Sequence, residues 1–215
     1  MRSTLANSRN VFEEVPCSES KIFLFSDSHY HHSQIIGYCK RPFSNVEEMN
    51  DEITSRYNET VKEHDVVYFL GDFAMGPRSW SPREQFEKYK IILDQLPGKK
   101  TLIKGNHDHL RAKDYLEMGF VDVQHSLTFD KSKIAMIHDP SKVRFLGKDT
   151  YRFFAGHVHE SWLFTINAHR RILNASVELH DYKPIEIKAA LCLMQKEFDK
   201  LQNLSLFCSK HQTES

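Results

Sequence analysis

The sequence predicts an α/β fold, a layered sandwich flanked by helices, and three observations carry that expectation. Short apolar runs alternate with amphipathic helical patterns through the first half of the chain. The second half changes to closely spaced runs that pair as hairpins. Five of the predicted strands end in a polar residue of a type that binds metal ions, and in open α/β sheets ligands gather at the carboxyl ends of strands.

Lys21 to Ser26 is the first apolar run, of the kind that makes a buried strand. Asn45 to Lys62 reads as a helix, with Met49, Ile53, Tyr57 and Val61 at i, i+4 spacing. Val66 to Leu70 is a second strand, stopped by Gly71. Ser81 followed by Pro82 supplies an N-cap and a first-turn proline for a helix that buries Phe86, Tyr89 and Leu93 and closes at Pro97-Gly98. Thr101 to Lys104 is a third strand, and a short helix is expected over Leu110 to Met118. Ser126 to Asp130 and Lys133 to Ile137 flank a two-residue turn. Arg152 to Ala155 is another strand, with Phe153 and Phe154 assigned to the core. Leu163 to Asn167 and Arg171 to Ala175 form a second hairpin, and Ile185 to about Leu204 is amphipathic and helical.

No repeat or linker divides the 215 residues. Residues 1–20 are polar and aperiodic and read as a flexible N-terminal arm, and residues 21–215 as one domain with a C-terminal helix. The arm lacks the apolar core of a signal peptide, and no stretch approaches the ~18 apolar residues of a membrane span. Four cysteines, far apart and without a C-x-x-C pair, suit reduced thiols, so a cytoplasmic protein is expected. Lys plus Arg and Asp plus Glu are both 29. That balance argues against a protein that grips long nucleic acid, so stable nucleic-acid binding is not expected.

Chemistry enters at the strand ends. Asp27-Ser28-His29 follows the first strand, Gly71-Asp72 the second, and Gly105-Asn106-His107-Asp108 the third. His138 follows the strand ending at Ile137, and Gly156-His157-Val158-His159 follows Ala155. Helix capping explains Asp27 or Asp72 taken singly, but not four histidines in register with them. Asp, Asn and His offer oxygen and imidazole donors, which suit manganese, zinc, iron or nickel. An extended segment would place His157 and His159 on one face, and Asp27 and His29 likewise. Asp72 is the carboxylate best placed to bridge two cations, which together acidify a shared water and clamp the oxygens of a phosphoryl displacement.

This ordered set, over about Lys21 to Pro184, resembles the calcineurin-like metallophosphoesterases, and the stretches around Arg41-Pro42-Phe43 and Asp181 to Pro184 look like their small bacterial and phage members. The resemblance implies two mixed β-sheets and two divalent metal ions, manganese foremost. It implies that Asp27, His29, Asp72 and His159 hold one ion, and Asp72, Asn106, His138 and His157 the other. It implies that His107 faces the substrate, stabilising charge or protonating the leaving oxygen, and that Asp108 buttresses the loop. The implied activity is hydrolysis of phosphate esters through a bridging hydroxide, with nucleotide-derived substrates among the candidates.

Two departures from the family pattern stand out. Gly71 to Gly76 lacks the second Asp and the phosphate-gripping Arg of the protein phosphatases, which points to diesters rather than monoesters. His138 is followed by Asp139-Pro140. His32, Arg41 and Arg144 are candidate substrate contacts, and His31 reads as a solvated loop residue. The rival readings are a nuclease of the same fold and a non-catalytic metal-binding scaffold.

Overall fold

The computed structural model describes residues 20–211, so nearly all of the expected N-terminal arm lies outside it. In chain order the strands are β1 (Ile22–Phe25), β2 (Val66–Phe69), β3 (Lys99–Ile103), β4 (Asp122–Gln124), β5 (Ser126–Phe129), β6 (Ile134–Ile137), β7 (Arg152–Ala155), β8 (Phe164–Asn167), β9 (Arg170–Asn174) and β10 (Ile185–Glu186). The helices are α1 (Ser33–Tyr38), α2 (Val46–Thr60), α3 (Pro82–Leu93), α4 (Ala112–Met118) and α5 (Ile187–His211).

Two five-stranded mixed sheets result, in the orders β10-β1-β2-β3-β4 and β5-β6-β7-β9-β8. In the first, β1 to β4 run parallel and β10 closes the edge antiparallel. In the second, β6, β7 and β9 are parallel, and β5 and β8 pair antiparallel as hairpin partners of β6 and β9. Both expected hairpins are present. The turn before β6 spans four residues, Asp130 to Lys133, rather than two, because Lys133 takes a left-handed φ of 56° before the ladder resumes.

Alternation along the strands sorts the core into layers. Phe23, Phe25, Val67, Phe69 and Leu102 face the helices, among them Met49, Ile53 and Tyr57 of α2 and Tyr89 and Leu93 of α3. Ile22, Leu24, Tyr68, Leu70 and Ile103 face the second sheet and meet Met136, Phe154 and Leu173, with Ile187, Ala190 and Met194 of α5. Ala135, Ile137, Phe153, Ala155 and Ile172 cover the far side against Val143. Edge-on aromatic contacts (Phe25–Phe69 at 5.3 Å, Phe69–Phe73 at 5.6 Å, Phe73–Phe120 at 5.5 Å) run under the loop that follows β2. That loop carries Asp72, so its backing is rigid and wholly buried.

Ser81 caps α3 in a reciprocal capping box with Glu84, as the sequence suggests, and Asn45 caps α2 by accepting from the Glu48 N–H. Among the described residues no helix is long and apolar enough to cross a membrane.

Candidate metal centre

The loops after β1, β2, β3, β6 and β7 meet at one end of the sandwich. Asp27, His29 and His159 bring one ligand atom each to within 4.8 Å of one another, and so do Asp72, His138 and His157. The clusters join at a single oxygen: Asp72 Oδ2 lies 3.4 Å from His29 Nε2 and 3.3 Å from His138 Nε2. Asn106 Oδ1 completes the second group, 3.0 Å from His138 Nε2 and 2.8 Å from His157 Nδ1. All seven residues expected as metal ligands are therefore gathered. His29 Nε2 is buried with no hydrogen-bond partner, and a buried imidazole nitrogen facing a carboxylate oxygen in this way suits a cation.

The backbone corrects one expectation. Asp27, His29, Asp72, His157 and His159 all have positive φ, between 47° and 73°, so neither Asp27-x-His29 nor His157-x-His159 is extended. The left-handed turns send His157 and His159 to different clusters instead of to one face. Non-glycine residues at such angles are uncommon, and their concentration here marks a loop set held by its surroundings. Glycine at 71 and 105 follows from the same crowding. A Cβ on Gly71, at φ 100°, would meet the His138 ring and Gly105 backbone, and one on Gly105 would strike the Asp72 carboxylate.

Several supporting residues escaped the sequence reading. Asn174 ends β9, and Ser176 and Glu178 follow it just as the candidate ligands follow their strands. Ser176 Oγ donates to Asp27 Oδ2 at 2.8 Å, and Asn174 Nδ2 donates to the His159 carbonyl at 2.7 Å. Glu178 Oε1 lies 2.9 Å from His159 Nδ1 and 2.6 Å from Arg41. A carboxylate on the far nitrogen of a ligating histidine fixes its tautomer and orientation. Strand-end polarity, applied once more to Asn174-Ala175-Ser176-Val177-Glu178, was the signal available.

Arg41 must be reassigned. Its side chain is 0% exposed, and its guanidinium also donates to the Asp27 and Ser28 carbonyls at 2.7 and 2.9 Å. It braces the site from below and presents no surface to a substrate. Arg144 is exposed but stacks over Phe145 at 4.7 Å and lines neither cavity beside the clusters. His31 is half-buried rather than solvated: its ring stacks on Tyr89, Nδ1 lies 3.2 Å from Asn50 Nδ2, and burial lowers its pKa.

His32 lines a cavity of about 640 Å³ with His29, His107 and His159. Its Nδ1 lies 3.3 Å from His29 Nδ1, and burial, then the neighbouring histidines, pushes its pKa down to about 4. A neutral His32 can accept from His29 Nδ1–H, the tautomer of His29 that leaves its Nε2 lone pair for a cation. The His107 ring is 5.2 Å from that of His29, and its backbone N–H donates to Asp72 Oδ1 at 2.8 Å. Asp108 ties the loops together, as the resemblance implied: Oδ2 accepts from the Asp72 and Gly105 N–H groups and Oδ1 from that of Phe73.

Without cations, these groups shift one another. Burial works against charge on His138, but the hydrogen bond and charge of Asp72, with Asp27, carry it up to about 9. His159 reaches about 10 against the same burial, through Cys39, Glu178 and Asp27. Asp72 is held well below the carboxylate range by His138 and His29, although burial alone would raise it. A raised histidine stabilises the fold fully below its unfolded value of ~6.5 and loses that stabilisation as pH climbs through the folded value. The depressed Asp72 contributes above ~3.9 and loses it as pH falls. Metal-free protein should therefore melt at lower temperature at pH 10 than at pH 7, a loss that bound cations, which require neutral imidazoles, should reduce. Thermal melts with and without chelator check this; an alkaline loss identical in both would contradict it.

Replacing Glu178 by Ala is expected to weaken metal affinity about 10- to 100-fold, the usual cost of losing such an outer partner, with Glu178→Gln less affected. Calorimetric titration of the apo protein measures it, and unchanged affinity in Glu178→Ala would remove Glu178 from the site.

A family model, the calcineurin-like phosphoesterase superfamily domain, matches residues 21–178. An uncharacterized protein of Methanocaldococcus jannaschii is 35% identical over 182 residues, 83% of this chain and 94% of that one. Among solved structures, a protein of unknown function from Aquifex aeolicus is similar at TM-score 0.58 and 25% identity, over 85% of this chain and 99% of its own. A Pseudomonas putida nuclease is similar at TM-score 0.45 and 22% identity, over 72% and 74% respectively.

Proposed function

Since the chain belongs to the calcineurin-like phosphoesterase superfamily, we propose that it is a metal-dependent phosphodiesterase of the cytoplasm. Two divalent cations, manganese foremost with zinc, iron or nickel as alternatives, would be held by Asp27, His29, Asp72 and His159 on one side and by Asp72, Asn106, His138 and His157 on the other. The observation that carries the reading is Asp72 Oδ2, set 3.3–3.4 Å from an imidazole of each cluster. Free thiols at Cys39 and Cys192 agree with a reducing compartment.

When bound, the cations supply Lewis acidity and a water of lowered pKa. The chain does the rest. Asp72 positions both halves of the site through one carboxylate and fixes the His107 loop through its second oxygen. His107, on the wall of the larger cavity, delivers a proton to the leaving oxygen. Asp108 and the buried aromatic cluster keep the loops from relaxing apart.

Two features favour diesters. A cavity lies on each side of the Asp72 oxygen, about 640 Å³ beside His29 and His159 and about 400 Å³ beside Asn106, His138 and His157, so both substituents of a diester have space. Among the lining residues of the larger cavity Arg78 is the single Lys or Arg, and it is exposed. The smaller cavity has Lys104 and Lys142, but Lys104 donates to the Leu110 carbonyl and Lys142 pairs with Asp139, so a dianionic monoester finds little free cationic help beyond the metals. With manganese, kcat/KM for bis-p-nitrophenyl phosphate should exceed that for p-nitrophenyl phosphate. A monoester preference that disappears in Arg78→Ala would replace the diesterase reading with a monoesterase one and identify its clamp.

A further inference from the structure

Two aromatic rings stand in water beside the site with no task in the chemistry above. Tyr38 is 73% exposed and Phe145 is 72% exposed, the two aromatics among the exposed large hydrophobic residues described. Isolated apolar side chains on a surface are ordinary. The placement of these two is not. Tyr38, the last residue of α1, lines the larger cavity with His29, His107 and His159. Phe145, the last residue of a short 3-10 helix (Pro140–Phe145), lines the smaller one with Asn106, His138 and His157. One open ring thus flanks each half of the centre. Each has a neighbour: Arg144 lies over Phe145 at 4.7 Å, and the His32 ring meets Tyr38 edge-on at 6.3 Å. Charge agrees at the first cavity, which the exposed Arg78 borders.

We propose that Tyr38 and Phe145 are stacking platforms for the two nucleobases on either side of the scissile phosphodiester. The substrate class is then a dinucleotide or short single-stranded oligonucleotide. This rests on the phosphodiesterase reading and narrows it. Base stacking on aromatic side chains tolerates any sequence, because every base has a π-face. A chain of zero net charge grips such a short substrate by two rings instead of by a long basic stripe. In the reaction, water adds its oxygen to phosphorus and one P–O ester bond breaks. The proton released by the water balances the one taken up by the leaving nucleoside oxygen, giving a nucleotide monoester and a free hydroxyl.

The test compares a dinucleoside monophosphate with its abasic counterpart, the same sugars and phosphate without bases, using manganese-loaded protein. Tyr38→Ala and Phe145→Ala should each lower kcat/KM for the dinucleotide about 5- to 100-fold, mainly through KM. Both should leave the abasic diester within about twofold, whereas Tyr38→Phe and Phe145→Tyr, which keep a ring, should retain the preference for bases. Equal effects on both substrates, no effect on either, or an effect of one ring alone would overturn the proposal. Wild-type cleavage of bis-p-nitrophenyl phosphate is measured in parallel. Its absence defeats the phosphodiesterase reading itself, whereas its presence with base-insensitive kinetics defeats only the stacking assignment.

Discussion

An Asp72→Asn variant is expected to lose turnover by more than the ~10²–10³-fold that one preorganised electrostatic group typically contributes, and to retain neither cation firmly. The reason is geometric. Asp72 Oδ2 is the one candidate ligand atom close to imidazoles of both clusters, and Oδ1 holds the His107 backbone. An amide removes the charge and, in one of its two orientations, turns an NH₂ toward nitrogens that must keep their lone pairs. A side chain belonging to one cluster, such as Asp27, should cost one ion when replaced; Asp72 should cost two. Metal content by plasma mass spectrometry and turnover are read together. Near-normal activity with two cations bound would defeat the bridging assignment.

The second large effect is expected at His107. His107→Ala should retain its metals and lose about 10²–10⁴-fold in rate, the range for a positioned proton donor. Truncation spares the backbone N–H that donates to Asp72, so the loop has no reason to collapse. The loss should shrink for p-nitrophenolate leaving groups, which need no proton, and grow for alkyl alcohols. If metal occupancy falls instead, His107 is a ligand and its assigned role is wrong.

How far the sequence reaches can be judged residue by residue. Strands such as Val66–Phe69 are legible because both faces of a parallel strand are buried, leaving an unbroken apolar run. The candidate ligands are legible because strand ends are where polar residues meet. What escaped was short or distant. β4 has three residues and β10 two, too few for any period to register, and α1 has six with no side-chain cap. Arg41 looks like a surface arginine until Glu178, 137 residues away, folds beneath it. The left-handed turns at His157 and His159 are also invisible locally, since loops around them, not their own side chains, impose the conformation.

Neither candidate cluster belongs to one sheet. Asp27, His29 and Asp72 issue from the sheet of β1 to β4 and β10, whereas His138, His157 and His159 issue from the other. Coordination there would rivet two layers already joined by the Ser176–Asp27 and Arg41–Glu178 links and by the apolar seam of Leu24, Leu70, Met136 and Phe154. A slip of one residue between layers, ~3.3 Å along a strand, would pull every cross-layer ligand pair out of reach at once. Activity is thus a vernier on sheet-to-sheet alignment. A volume change deep in that seam would surface first as a weakened grip on metal, while the protein still melts as a folded body.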